Sequence, residues 1–335
     1  MNRPWTLDIL LNVFLIGLLV LLGAVSMRLG QQALPLIPNL KQIVAEDPQV
    51  AWLIISEIRL PRTLLGALVG FSLGLCGAAL QGLLRNPLAE PGLLGASSGA
   101  ALGAVTVFYF ALGGGAAFAL PLGGAFGALA SLMLLYLLAG RRSEMLTIIL
   151  AGIAINAFAA ALTSLALNFA PNPFAAVEIV FWMLGSLVDR GMDHVAFAFP
   201  LMLVGWILVF SAGRALDALS LGEDAGASLG FNPAGIKRRV IGGTALAVGA
   251  AVAVTGIIGF VGLVVPHLMR PLTGYQPSRL LLPSALAGAV MLLGADILVR
   301  LASPGPELKL GVVTALLGAP FFLYLIIYTR RGVSL

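Results

Sequence analysis

The sequence predicts an all-α, polytopic membrane protein with about ten transmembrane helices. Three observations predict it. The 335 residues are 60% hydrophobic and only 10% charged, with a mean hydropathy of +1.04, whereas a soluble domain is about 25% charged. The apolar residues fall in long runs, matched to the roughly 20 residues needed to cross a bilayer. Those runs are interspersed with 41 Gly and 19 Pro, which spanning helices tolerate because neighbouring helices satisfy the freed backbone groups. Other classes are excluded. Charges are abundant in disordered chains and scarce here, and no alternating ten-residue pattern marks an outer-membrane barrel. The single cysteine, Cys76, allows no intramolecular disulfide, so the fold must rest on packing.

The spans are expected near 9–27, 63–84, 93–112, 117–139, 146–168, 196–213, 240–257, 258–270, 284–301 and 311–328. The first reads as a retained helix. Its apolar run from Ile9 to Val25 is long for a signal-peptide core, and Arg28, Gln31 and Gln32 follow it instead of a small-x-small cleavage site. The seventh and eighth spans are divided only by Gly256 and Gly259. Within the helices small residues recur four apart: Gly66, Gly70 and Gly74; Gly95, Gly99 and Gly103; Gly123 and Gly127. That spacing lets helix backbones approach closely in lipid. Arg62 with its three glycines and Arg239 with Gly242, Gly243 and Gly249 also suggest a weak inverted repeat, 62–168 against 239–328.

The net charge is +5, yet the basic residues stand singly or in short groups between apolar runs. They read as topology signals, with no nucleic-acid surface. Ten spans put both termini on one side. Placing that side in the cytoplasm (N-in, C-in) leaves twelve of the 19 basic residues inside, as the positive-inside rule favours. Arg28, Lys41, Arg59, Arg62, Arg190, Arg300 and Lys309 stay outside, where that rule gives no reason for them. Arg59 and Arg62 bracket Pro61, which should hold two cations at a set spacing. Arg300 should be presented outward at the end of the ninth span. One turn earlier stands Asp296, the only acidic residue inside an apolar run, and the two are expected to form a local pair.

His194 and His267 have no second His, Cys or carboxylate at ligand spacing, so no metal site is expected. There is no G-x-x-x-x-G-K-[ST] loop and no G-x-S-x-G nucleophile, so this chain is expected to bind no cofactor and to catalyse nothing. A carrier working alone would need an intramembrane ion-coupling group, which the acidic residues do not supply. Uphill transport would draw its energy from another subunit. The longest polar stretch on the expected inner side is 214–239. Its Leu, Ala and Gly pattern between Leu219 and Gly230 suits one short amphipathic helix seated in a partner's groove.

Several stretches are more particular than membrane packing demands. They are R-L-P-R (Arg59 to Arg62), R-N-P-L-A-E-P-G-L-L-G (Arg85 to Gly95) and L-S-L-G-E-D-A-G-A-S-L-G (Leu219 to Gly230). G-F-V-G-L-V-V-P-H-L-M-R (Gly259 to Arg270), A-D-I-L-V-R (Ala295 to Arg300) and G-V-V-T-A-L-L-G-A-P-F-F (Gly311 to Phe322) follow. In this order, over essentially the whole chain, they resemble the FecCD-type permeases. These are membrane subunits of type II ATP-binding-cassette importers for iron-siderophores, haem and vitamin B12. Two departures stand out: Gln276 to Arg279 replace an Asp-His-Arg-like turn, and Lys309 stands where the family often has Pro.

The resemblance implies one permease domain over 1–335, of ten helices, in the bacterial inner membrane. It implies a second permease copy with the pathway between the two, most simply a homodimer. Two cytoplasmic ATPases would use ATP and Mg, and a periplasmic substrate-binding protein would deliver the cargo. Membrane lipid surrounds the assembly. By the same resemblance Arg59, Arg62 and Arg300 receive the binding protein. Leu221, Gly222, Glu223, Ala225 and Leu229 form the ATPase-coupling helix, with Gly222 allowing close approach and Glu223 meeting basic residues of the ATPase. Asn86 and Leu88 form the cytoplasmic gate, and Ser143 and Glu144 add a second constriction. An iron chelate or haem is the expected cargo, and vitamin B12 is the alternative.

Overall fold

The computed structural model describes residues 5–29, 48–110, 119–140, 145–169, 173–302 and 308–332. Among these every regular element is helical: α1 (Trp5–Arg28), α2 (Pro48–Leu53), α3 (Leu60–Leu83), α4 (Ala96–Tyr109) and α5 (Ala119–Ala139). Then come α6 (Met145–Asn168), α7 (Pro173–Met183), α8 (Met192–Phe210), α9 (Gly213–Ser220) and α10 (Glu223–Ser228). The series ends with α11 (Pro233–Thr255), α12 (Val261–Met269), α13 (Pro277–Ala302) and α14 (Leu310–Gly332). Seven helical runs among the described residues are long and apolar enough to span a membrane.

Three expected spans need correction. The second is much longer, because α2, a π-helical turn at Ile54–Arg59 and α3 form one continuous run from Gln49 to Leu83. Pro61 therefore does not begin a helix. It lacks an N–H and crowds the preceding turn, and the wider π turn just before it accommodates that. The third span is α4, only 14 residues, because Pro91–Leu94 forms a 3-10 turn and Gly95 at φ 81° breaks the run. The eighth is α12, nine residues long. At 1.5 Å per residue it measures about 14 Å, half of a hydrocarbon core roughly 30 Å thick. Gly256, at φ 75°, ends α11, and non-helical chain over 256–260 leads into this half-helix. The 11-residue α7 was not anticipated.

The bundle is built around α3, which packs against α1, α8, α11, α12 and α13. Glycine makes these crossings possible. A Cβ at Gly70 would lie 2.3 Å from the Gly288 carbonyl oxygen, and one at Gly74 would lie 2.1 Å from that of Ser284. The α3–α13 backbones therefore touch, as the small-residue spacing predicts. Gly77 extends the same face onto α12, 2.0 Å from the Gly262 carbonyl. The α4–α5 crossing works alike, with Gly103 against Gly123 and Gly127 against Gly99. On the outside, α1 exposes Leu10, Phe14, Val20 and Leu21. A soluble protein seldom tolerates so continuous an apolar surface; in lipid it needs no cover.

Candidate functional site

Where α3 begins and α13 ends, four charged side chains meet inside the bundle. Arg62 donates to Asp296 through Nε (3.0 and 3.2 Å) and Nη2 (2.7 Å). Arg300 also donates to Asp296, across one helical turn. The expected local pair exists, but its carboxylate is shared with a residue 234 positions away. Arg300 further donates to the Ser26 and Leu29 carbonyls at 2.9 and 3.2 Å, and Arg59 donates to those of Met27 and Arg28 at 2.9 and 3.2 Å. Two guanidiniums thus cap the C-terminal end of α1, where the helix dipole favours cations. The Ser26 and Thr63 hydroxyls close the network at 2.7 Å.

These contacts correct the expectation of three outward-presented cations. Arg59, Arg62 and Arg300 are 9%, 4% and 6% exposed, and Asp296 is 1% exposed. Pro61 does not splay Arg59 and Arg62 outward, because both belong to one helical run packed on α1 and α13. The cluster keeps a positive excess, three guanidiniums against one carboxylate.

At the opposite end of α3 the chain makes a tight turn. Arg85 sits at φ 46°, the Asn86 side chain accepts the Leu88 N–H at 2.9 Å, and Asn86 N–H donates to the Gln81 carbonyl at 3.2 Å. Asn86 shapes the turn, and Leu88 is its exposed apolar tip. Ser143 and Glu144 lie outside the described residues.

Sequence reasoning missed what anchors this turn. Glu90 accepts the N–H of Phe260 at 3.3 Å, tying the turn to the start of α12. Burial raises the Glu90 pKa, and the Phe260 hydrogen bond opposes that shift. Phe260 sits at φ 66°, and a Cβ on Gly318 of α14 would fall 2.3 Å from it. Gln81 donates to the Gly262 and Leu263 carbonyls at 3.4 and 3.3 Å and accepts from Arg270. Asn156 of α6 donates to the Gly92 carbonyl at 2.8 Å. The available signal was an acidic residue within the Arg85–Gly95 motif, with no partner visible nearby.

The coupling segment forms two helices, α9 and α10, where one was expected. The break falls at Gly222, whose φ of 119° disfavours any side chain. Nothing lies within 4 Å of a Cβ built there, so the position is also open to close approach. Leu221 and Leu229 are 72% and 62% exposed, and Ala225 is half-buried between them. Glu223 is not left free for a partner, because it pairs with Lys237 at 2.9 Å. Behind this surface, Asp217 of α9 accepts the Ser278 N–H at 2.8 Å, the Ser278 hydroxyl at 2.6 Å and the Gln276 amide at 2.8 Å. The unusual turn at Gln276–Ser278 thus seats α9 on the N-terminus of α13, where a carboxylate is favoured. The other departure, Lys309, lies 5.5 Å over the Phe181 ring of α7.

Spanning helices packed through glycine, a half-length helix, and a paired-helix segment at one end define a multi-pass helical membrane protein. Residues 18–328 match the FecCD transport family, and the chain belongs to it. It is 40% identical over 322 residues to the hemin transport system permease protein of Yersinia pestis, covering 95% of each chain. It is 38% identical over 334 residues to the vitamin B12 import system permease protein of Klebsiella pneumoniae, covering 99% of this chain and 96% of that one. A solved ABC transporter of metal-chelate type in an inward-facing conformation aligns with a TM-score of 0.84 at 32% identity, over 95% of this chain and 98% of the other. The family consists of permease subunits whose ATPases are separate chains.

Proposed function

We propose that this chain is the permease subunit of an ATP-driven importer. Two copies enclose a pathway for an iron chelate or haem, received from a periplasmic binding protein and released to the cytoplasm. The observation that carries this reading is the α9–α10 projection: two exposed leucines flank a glycine break on a segment bolted to the helix bundle. In this reading Leu221 and Leu229 enter a groove on the ATPase, which binds ATP and Mg. Force on α9 passes through Asp217 to α13, then through the Gly70–Gly288 and Gly74–Ser284 crossings to α3. The gate turn follows directly from α3, so displacement of α3 moves Asn86 and Leu88.

The outer cluster of Arg59, Arg62 and Arg300 is the docking end. Its positive excess sets encounter rate and register with an acidic partner more than affinity. Iron chelate or haem is the cargo proposed and vitamin B12 the alternative, since the hemin and vitamin B12 permeases both match over nearly the whole chain. The deciding experiment reconstitutes permease, ATPase and binding protein in proteoliposomes and offers labelled haem, ferric siderophore and cobalamin separately. Uptake of either iron compound above cobalamin supports the assignment, and cobalamin uptake alone overturns the cargo.

A further inference from the structure

Beside the coupling segment, where α8 ends and α9 and α11 begin, lies a cavity of about 720 Å³. Its size falls within the roughly 300–1,000 Å³ of small-ligand sites. Arg214, Arg238 and Arg239 line it together with Ser211, Asn232 and Leu208, and no acidic residue does. Nearby cations are already matched: Lys237 pairs with Glu223 and Arg279 with Asp8. Among the described residues no carboxylate pairs with Arg214, Arg238 or Arg239.

The cavity also has an apolar approach. On α8 the exposed Leu203 and Ile207 precede Ser211 at steps of four, and the exposed Val204 precedes Leu208 by four. These positions stack along one helix face, so an apolar stripe leads to the three arginines. A site with a water-side cluster of guanidiniums and an acyl-side stripe matches an amphiphile with an anionic head. Arginine also suits a phosphate, whose oxygens its planar fork can bind in pairs. A basic pocket between helices at the membrane boundary is a setting in which anionic headgroups bind.

We infer that this cavity binds the phosphate of an anionic phospholipid, with its acyl chains along Leu203, Val204 and Ile207. The inference rests on the chain spanning a membrane and not on the cargo or the ATPase assignment. Gly230 and Phe231 also line the cavity, so an occupied site bears on the α10–α11 connection beside the coupling projection.

The test is native mass spectrometry and thermal unfolding of the full chain in nanodiscs of phosphatidylcholine, with or without phosphatidylglycerol. The wild type should retain phosphatidylglycerol and unfold several degrees higher in its presence, with both effects weakening at high salt. Arg214→Gln with Arg239→Gln should cut retention at least tenfold and remove the thermal shift, while unfolding like the wild type in phosphatidylcholine alone. Arg214→Lys with Arg239→Lys should restore part of the retention. If the Gln pair does not fold, retention by the wild type in competition with phosphatidylcholine decides, and equal retention of the two lipids overturns the proposal. A thermal shift of equal size from millimolar inorganic phosphate without phosphatidylglycerol would mark a free-anion site and overturn the lipid assignment. A Gln pair that retains lipid normally but loses ATPase assembly would assign the arginines to the ATPase instead.

Discussion

Replacing Asp296 with alanine leaves the Arg62 and Arg300 guanidiniums inside the bundle without their shared carboxylate. Asp296 is 1% exposed and takes donors from both arginines, so water cannot readily replace it. Removing one partner of a buried ion pair costs about 3–5 kcal/mol. For a chain of this size, at about 0.7 kcal/mol per degree, that corresponds to a fall in Tm of about 4–7 °C. The assay is fluorescence-monitored thermal unfolding in detergent, with the triple replacement Arg62→Met, Asp296→Leu and Arg300→Met as the partner measurement. The triple variant removes charge and carboxylate together, so it should recover much of the loss. It should still slow binding-protein docking at low salt, because only Arg59 remains of the positive excess. If Asp296→Ala shifted stability by less than about 1 kcal/mol, the range of an exposed pair, the shared carboxylate would not hold this end of the bundle.

Gly70→Ala places a methyl against the Gly288 carbonyl, where 2.3 Å is available. Overpacking of this kind costs about 1–3 kcal/mol, and a Tm equal to the wild type's would show that α3 and α13 do not touch there. Asp217→Asn keeps a side-chain acceptor but loses the charge that seats α9 on α13. The complex should still hydrolyse ATP while uptake falls several-fold; a proportional fall in both rates would place Asp217 outside the transmission route. Leu88→Cys in a Cys76→Ser background should crosslink two copies in one nucleotide state only, and equal crosslinking in all states would make the turn a static connector.

Much of the architecture was legible because lipid imposes a simple rule. An apolar run of the right length is a span, and glycines four apart mark where spans touch. Both statements hold for α5, and the glycine spacing holds for α3 where it meets α13. The rule failed where length and run disagree. Residues 258–270 are apolar enough for a span, but Gly256 ends α11 and Phe260 takes a positive φ, so only nine residues of helix form. The site was harder to read because its partners are distant. Arg300 and Asp296 are visible as neighbours on one helix, whereas Arg62 is 234 positions from Asp296. The Asp217–Ser278 bond spans 61 positions and Glu90–Phe260 spans 170. No local periodicity encodes such pairings. Gly222 is an intermediate case: its place in the motif was plain, but the φ of 119° that splits the coupling segment was not.

The central claim is that α9–α10 couples this permease to a separate ATPase for uphill import. The most direct measurement is uptake of labelled haem or iron chelate into proteoliposomes holding the full complex, wild type against Leu221→Arg. Leu221 is 72% exposed, so the substitution disturbs no core packing and tests the docking surface alone. The account predicts ATP-dependent uptake by the wild type, none without the ATPase, and loss of both assembly and uptake in Leu221→Arg with the Tm of the isolated permease unchanged. ATP-dependent uptake at the wild-type rate by Leu221→Arg, or accumulation against a gradient without any ATPase, would contradict it.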